Sequence, residues 1–230
     1  MPITRKSRPA WWLRAWSHLR PVLLEQTGSA LNPVLEITLN KGRYMLCSEN
    51  AIYSYEDLYD NFVESFRRLP LDTMPVSEVL VLGMGLGSIP QILEQVFQKK
   101  YYYTCIEADE EVMLLAEKYV LHELHSGIDV VCADAADWVW ITEQTFDIIC
   151  VDVFVDAVTP SDFRDPDFLA RCAELLNPQG VLLYNCLAYN GIDAAAAQAF
   201  YSEVFESAFA KTEIFKLRAN WVLVGYALAS

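Results

Sequence analysis

The sequence predicts an α/β protein with a doubly wound, mainly parallel, seven-stranded sheet and a small β element in front of it. Three observations carry that prediction. First, Glu78-Val79-Leu80-Val81-Leu82 runs into Gly83, Gly85 and Gly87, an apolar stretch broken by three alternating glycines. A strand buried on both faces needs the unbroken apolar run, and the glycines let the chain turn tightly while a ligand lies against its backbone. Second, strand-like and helix-like stretches alternate from Glu78 onward, as parallel strands joined by crossovers require. Third, the last two runs, Thr212 to Leu217 and Trp221 to Ala227, are joined only by Arg218-Ala219-Asn220. So short a link makes them antiparallel, because a parallel pair needs a crossover of about a dozen residues or more. That ending separates this fold from an ordinary dinucleotide-binding one.

Taken in order, residues 1–30 read as a basic tail, 31–72 as a small β element plus helix, and 73–230 as a nucleoside-binding domain. The tail holds Arg5, Lys6, Arg8, Arg14 and Arg20 with no acid before residue 21, together with Trp11, Trp12 and Trp16. Such a segment either lies on an anionic membrane surface or is a terminus that is poorly ordered or docked on a neighbouring subunit. Arg14 interrupts any apolar stretch of a secretion signal. Pro33 to Leu39 and Arg43 to Cys47 are strand-like around Asn40-Lys41-Gly42, which has hairpin-turn chemistry, and Ile52 to Tyr55 adds a third strand. Leu58, Phe62, Phe66 and Leu69 recur at helical spacing before Pro70 and Pro75 close the segment. In the main domain the expected order is strand 79–82, helix 88–98, strand 102–106, helix 109–124, strand 129–132, strand 146–151, helix 167–176, strand 181–185, helix 193–209 and the closing pair. Pro90 falls in a first helical turn, where its missing N–H costs nothing, and Asp109 caps the next helix with Glu110 and Glu111 at its positive end.

Hydrophobic residues make up 53% of the chain and charged ones 21%, so it folds around a core. No apolar run is long enough to span a bilayer. The net charge is -14, and beyond residue 20 there are 12 basic against 31 acidic residues. An acidic body of that kind repels phosphate backbones, which argues against a nucleic acid partner. Cys47, Cys105, Cys132, Cys150, Cys172 and Cys186 show no C-x-x-C pairing, which reads as reduced thiols in a cytoplasm without disulfide or zinc. His122 and His125 read as polar helix-end residues, so no metal site is expected.

The candidate site residues stand at strand ends. Glu107, 24 positions after Gly83, is placed to hold a ribose hydroxyl pair, and the helix after the glycines points its amides at the ligand. Asp152 ends the fourth parallel strand at the crevice where open α/β sheets bind ligands, and can take a proton from an attacking amine or hold it by charge. Its apolar neighbours Val153 and Phe154 would raise its pKa. Asp134 either meets the ligand or caps residues 135–140. Tyr53, Tyr55, Tyr184 and Asn185 are candidates to line an acceptor pocket, and Asp156 and Asp162 lie in the loop after Asp152.

With these residues in view, the chain resembles the class I methyltransferase fold and, within it, the spermidine synthase-like family. The match is carried by Val79 to Gly87, Cys105-Ile106-Glu107-Ala108-Asp109, Ala133-Asp134-Ala135 and Phe146 to Asp152. Thr159-Pro160, Asp167-Phe168-Leu169 and Leu176 to Leu182 continue it, so the resemblance covers residues 31–230. It implies aminopropyl transfer from decarboxylated S-adenosylmethionine to putrescine, in polyamine biosynthesis, by a homodimer. Residue by residue, it places Gly83, Gly85, Gly87 and Ala135 around the donor, Glu107 at the ribose, Asp134 at the adenine amino group and Asp152 at the reacting centre.

The chain also departs from that family. The acid inside the family's glycine motif is Leu86 here, the second acid after the strand-four aspartate is delayed by Val153-Phe154-Val155 to Asp156, and the Tyr-His-Glu-like signature is Tyr53-Ser54-Tyr55-Glu56. Ordinary methyltransferases usually carry an acid two residues before the first glycine, where this chain has Val81. Three readings follow: a transferase moving an aminopropyl or methyl group from S-adenosylmethionine or its decarboxylated form to a small nucleophile, possible amines included; an S-adenosylmethionine-dependent methyltransferase acting on another small molecule; or an inactive nucleoside-binding or interaction protein. A dinucleotide dehydrogenase is opposed by the closing strands.

Overall fold

The computed structural model describes residues 8–49, 51–155 and 158–227. It begins with a short helix, α1 (Trp11–Trp16), and an antiparallel sheet in chain order: β1 (Val22–Thr27), β2 (Leu35–Asn40), β3 (Arg43–Cys47) and β4 (Ile52–Ser54). Lys41 and Gly42 form the two-residue turn between β2 and β3, both at positive φ, 51° and 76°, as a primed hairpin turn requires. The expected boundary at residue 30 falls past β1, which pairs with β2 and gives the β element a fourth strand. A bulge between Leu23 and Glu25 breaks the alternation that would have marked this strand. The segment before it is held on its own chain: Ser17 is buried, its Oγ accepts the Gly42 N–H at 2.8 Å and its carbonyl accepts the Lys41 N–H at 3.0 Å.

Next, α2 (Asp60–Arg68) buries Phe62, Val63 and Phe66 and leads to the main sheet. Its strands are β5 (Glu78–Leu82), β6 (Tyr102–Glu107), β7 (Gly127–Cys132), β8 (Phe146–Val151), β9 (Leu176–Leu187), β10 (Lys211–Lys216) and β11 (Asn220–Tyr226). They lie in the order β10-β11-β9-β8-β5-β6-β7. All neighbours from β9 to β7 are parallel, and β11 runs antiparallel to both β9 and β10, as the short link between the last two strands demands. Val79 to Leu82 are fully buried because both faces of β5 are covered. Val79 and Val81 belong to a cluster with Ile37, Phe62, Ile89 and Leu115, while Leu80 and Leu82 face Val139, Leu169 and Phe200. The chain leaves β5 toward β6 and later returns on the other side as β8, so the crevice of the doubly wound fold opens between the ends of β5 and β8.

The helices are shorter than periodicity suggests. In place of one helix over 88–98 stands α3 (Ser88–Gln91) running into a π-helical turn, Ile92–Val96, and Gln98 at φ 57° stops it. The segments expected at 109–124 and 193–209 are α4 (Glu110–Tyr119) and α7 (Gly191–Glu203), each followed by a tight 3₁₀ turn. Val120 and Val204, at φ -130° and -128°, break the hydrogen-bond ladder there. Between them lie α5 (Ala135–Ile141) and α6 (Pro166–Glu174), the latter with Pro166 in its first turn and Asp165 as its cap. β9 begins earlier than expected because residues 177–180 bulge out between the Phe146–Leu176 and Ile148–Val181 pairings. No helix among the described residues is long and apolar enough to cross a membrane.

Candidate active site

The glycine loop leaves β5 wedged between its two parallel neighbours. The Gly83 N–H donates to the Ile106 carbonyl at 3.0 Å, and the Asp152 N–H donates to the Leu82 carbonyl at 2.8 Å. Gly83 sits at φ 84°, and a Cβ there would lie 2.3 Å from the Asp152 carbonyl oxygen, a separation that no side chain permits. The alternating residues Met84 and Leu86 are buried in the core, so Gly83 and Gly85 present bare backbone to the crevice. Gly87, expected with them, packs against Leu121, turns the chain into α3 and does not line the crevice. Leu86 likewise points away from it.

Glu107 ends β6 with its carboxylate turned toward this loop. One oxygen accepts the Gly85 N–H at 3.1 Å and the other the Asp109 N–H at 3.1 Å. Burial lifts its carboxyl above the ordinary range while those backbone donors pull it down. Asp109 is buried; its Oδ1 caps α4 through the Glu111 N–H, and its Oδ2 accepts from Ser29 Oγ and from Asn32 Nδ2 at 2.7 Å. Asn32 Oδ1 in turn accepts the Tyr53 hydroxyl at 2.8 Å. This relay ties the N-terminal sheet to the strand end that carries Glu107, and Leu31, Asn32 and Tyr53 become one wall of the crevice. Asp134 caps α5 through the Ala136 N–H at 2.8 Å and lines the crevice together with Ala135.

Asp152 stands opposite, at the end of β8. Its Oδ1 accepts from Asn185 Nδ2 at 2.8 Å and from the Tyr59 hydroxyl at 3.3 Å. Burial pushes the carboxyl up to about 7, against the pull of those two donors, and the charge of Glu107 adds to the rise. Burial also holds the Tyr59 phenol well above its ordinary range, with Asp152 adding to it, so this hydroxyl is a fixed donor at neutral pH. A carboxyl near 7 exchanges between acid and base at working pH. Val153, Phe154, Pro160 and Phe163 wall this end. Glu107, Asp134, Asp152 and Asp162 line the crevice, and no Lys, Arg or His does so among the described residues. Its field therefore favours cationic ligands and disfavours carboxylates.

The structure thus brings Gly83, Gly85, Glu107, Asp134, Ala135, Asp152 and Tyr53 to one crevice. Asn185 reaches it only through Asp152, with its own Oδ1 buried and unpartnered. Tyr55 does not belong there: Glu56 at φ 42° swings the chain, and the Tyr55 hydroxyl donates to the Asn40 carbonyl at 3.3 Å. Tyr184 lies on the other face of the sheet against Phe200, its hydroxyl on the Phe163 carbonyl. Asp156 lies outside the described residues. Tyr59 and Asn32 escaped the sequence reading. Tyr59 stands three residues before Phe62 and stacks on it, so in sequence it looks like part of the helical stripe; an aromatic residue just before a helix that leads into the glycine strand was the only signal.

Comparison with known proteins bears on this geometry. Residues 79–180 match the family described as a methyltransferase domain. Over 109 residues the chain is 30% identical to a "Probable polyamine aminopropyl transferase" of Bifidobacterium longum, covering 47% of this chain and 24% of that one. Over 154 residues it is 25% identical to a polyamine aminopropyltransferase of Vibrio vulnificus, covering 66% of this chain and 51% of that one. The chain therefore spans from about a quarter to about half the length of these curated relatives. The crystal structure of spermidine synthase from Thermotoga maritima superposes with a TM-score of 0.70 at 16% identity, over 90% of this chain and 74% of the other. The fold is that of the class I methyltransferases, and in sequence the chain is similar to polyamine aminopropyltransferases.

Proposed function

We propose that this chain is an aminopropyltransferase that aligns a decarboxylated S-adenosylmethionine donor with a small amine, and that Asp152 takes the proton the amine gives up. The observation that carries the proposal is the Asp152 carboxylate, lifted to about 7 and held by Asn185 and Tyr59 at the mouth of a bare glycine loop. The donor supplies an electrophilic carbon on a sulfonium. Glu107 is the residue to hold its ribose, and Asp134 its base. The crevice fits that donor because its lining is anionic: a sulfonium bearing an amine is attracted, whereas the carboxylate of the undecarboxylated form meets no cation among the described lining residues. With Leu86 buried in the core, binding of the donor's amine falls to the carboxylates of the crevice and not to the glycine loop.

Alignment does much of the work in such a displacement, since two bound reactants held in line lose little further entropy on reaching the transition state. The proton sets the rest. An alkylammonium titrates near 10.4, so a carboxylate at its ordinary 3.8 would take its proton against more than six pH units; raising Asp152 to about 7 removes about 4 kcal/mol of that climb. Tyr59 and Asn185 fix the carboxylate on one oxygen and leave the other for the acceptor. We place this chemistry in the cytoplasm and in a homodimer, the latter read out by mass in solution. The test incubates the purified chain with decarboxylated donor and a panel of primary amines that includes putrescine. Methylthioadenosine and an aminopropylated amine are expected; S-adenosylhomocysteine formed from S-adenosylmethionine, with no turnover of the decarboxylated donor, would overturn the proposal.

A further inference from the structure

We propose that the face carried by α1 docks on an anionic lipid bilayer. The inference is independent of the reaction at the crevice. Trp11, Trp12, Trp16 and Leu19 are 82%, 60%, 46% and 78% exposed, four large apolar side chains within nine residues. They are not on a loose tail. Leu13 packs against the core, buried Ser17 is bonded to the β2–β3 turn, and Arg8 pairs with Glu123, so the segment is fixed to its own chain with its tryptophans outward.

Beside them runs a cleft lined by Trp11, Arg14, His18, Lys41 and Arg43. Arg43 is engaged with Asp57, but among the described residues Arg14, Lys41 and Arg20 have no acidic partner, and Arg20 lies over the Trp16 ring, 5.1 Å from its centroid. Arg5 and Lys6 add charge to the same end of the sequence. Tryptophan favours the headgroup level, leucine the acyl region beneath it, and arginine and lysine the anionic headgroups. Trp11 shares its cleft with Arg14 and Lys41, and Arg20 lies over Trp16, so tryptophan and cation are neighbours here on a protein that is otherwise strongly acidic.

That polarity decides between occupants. A polynucleotide long enough to cover the tryptophans also runs over the acidic body and is repelled by it. The acidic surface of a second copy would neutralise the cations, but its exposed apolar side chains outside α1 are spread along the chain, as Ile52, Trp140, Ile141, Tyr189 and Ile192, where a bilayer offers a continuous apolar bed. A bilayer does both and touches only this face, each cation near the surface being worth about a fivefold gain in binding.

The full chain is to be mixed with phosphatidylcholine vesicles, with and without about a third phosphatidylserine, and followed by co-sedimentation and tryptophan fluorescence. Binding with a blue shift is expected on the anionic vesicles only, weakening with added salt. R14Q/K41Q should weaken it by about 25-fold, and W11A/W12A should abolish the shift while Trp138, Trp140 and Trp221 still report a folded chain. Equal binding to both vesicle types, or binding to neither, overturns the inference. So does a fall in solution mass for W11A/W12A, which assigns the face to a second copy, or salt-sensitive binding of an oligonucleotide that R14Q/K41Q removes.

Discussion

Among the described residues, the Glu56 and Asp152 carboxyls are both lifted to about 7, and burial is the first cause in both, yet their surroundings differ in every other respect. Glu56 lies under the β2–β3 hairpin, 7% exposed. One of its oxygens accepts the Tyr44 N–H at 2.6 Å and the other faces the Arg43 guanidinium, 3.7 Å from its Nε, so both are turned toward groups of the fold. Asp152 takes both of its protein hydrogen bonds on a single oxygen and lines the crevice beside a loop that presents only backbone. A raised carboxyl reports desolvation. What distinguishes a reactive one is an oxygen left facing a cavity that a substrate can enter.

The contrast breaks or sharpens under substitution, and the largest expected effect is on turnover. D152N should lower kcat by about 10²- to 10⁴-fold, the usual loss of a general base, while E56Q leaves kcat within about twofold; steady-state release of methylthioadenosine reads both. If the two variants behave alike, the distinction drawn between the two carboxyls fails.

Next in size is the pH dependence of stability, where the two regions should agree. Both groups have folded pKa values raised above their unfolded ones, so each favours the folded state fully below about 4 and loses that advantage as pH climbs through about 7. For Glu56 the shift from 4.5 to about 7 sets a ceiling of about 3 kcal/mol. Urea unfolding at pH 5 and pH 8 should therefore show a smaller drop in E56Q than in the parent chain.

Smaller effects separate the supports of the crevice. Y59F removes a donor that holds the Asp152 carboxylate ionised. Its kcat/KM should fall by about fivefold, the worth of one such bond. The acidic limb of its pH–rate profile should also shift to higher pH, since losing that donor raises Asp152 further. D109N keeps a side chain able to cap α4 but deprives Ser29 and Asn32 of their shared acceptor. It should raise the donor KM about threefold with kcat nearly unchanged, the mark of a wall that positions without reacting. An equal fall in kcat would place Asp109 nearer the chemistry.

Much of the scaffold was legible along the chain. The apolar run before Gly83, the acids that end β6 and β8 and the three-residue link before β11 are local signals, because strand burial, tight turns and strand direction each leave a mark within a few neighbouring residues. The core position of Leu86 was not legible, since a departure from a motif tells what is missing and not where the replacement side chain points. Nor was β1, whose bulge erased its alternation.

The hydrogen bonds that make Asp152 more than a strand-end acid were settled only in three dimensions. Tyr59 comes to it from 93 residues away and Asn185 from 33, one from the segment entering α2 and one from β9. Periodicity assigns a residue to a face of its own helix or strand. Which faces meet depends on register and on the packing of one sheet over another, and that is decided by the whole core at once.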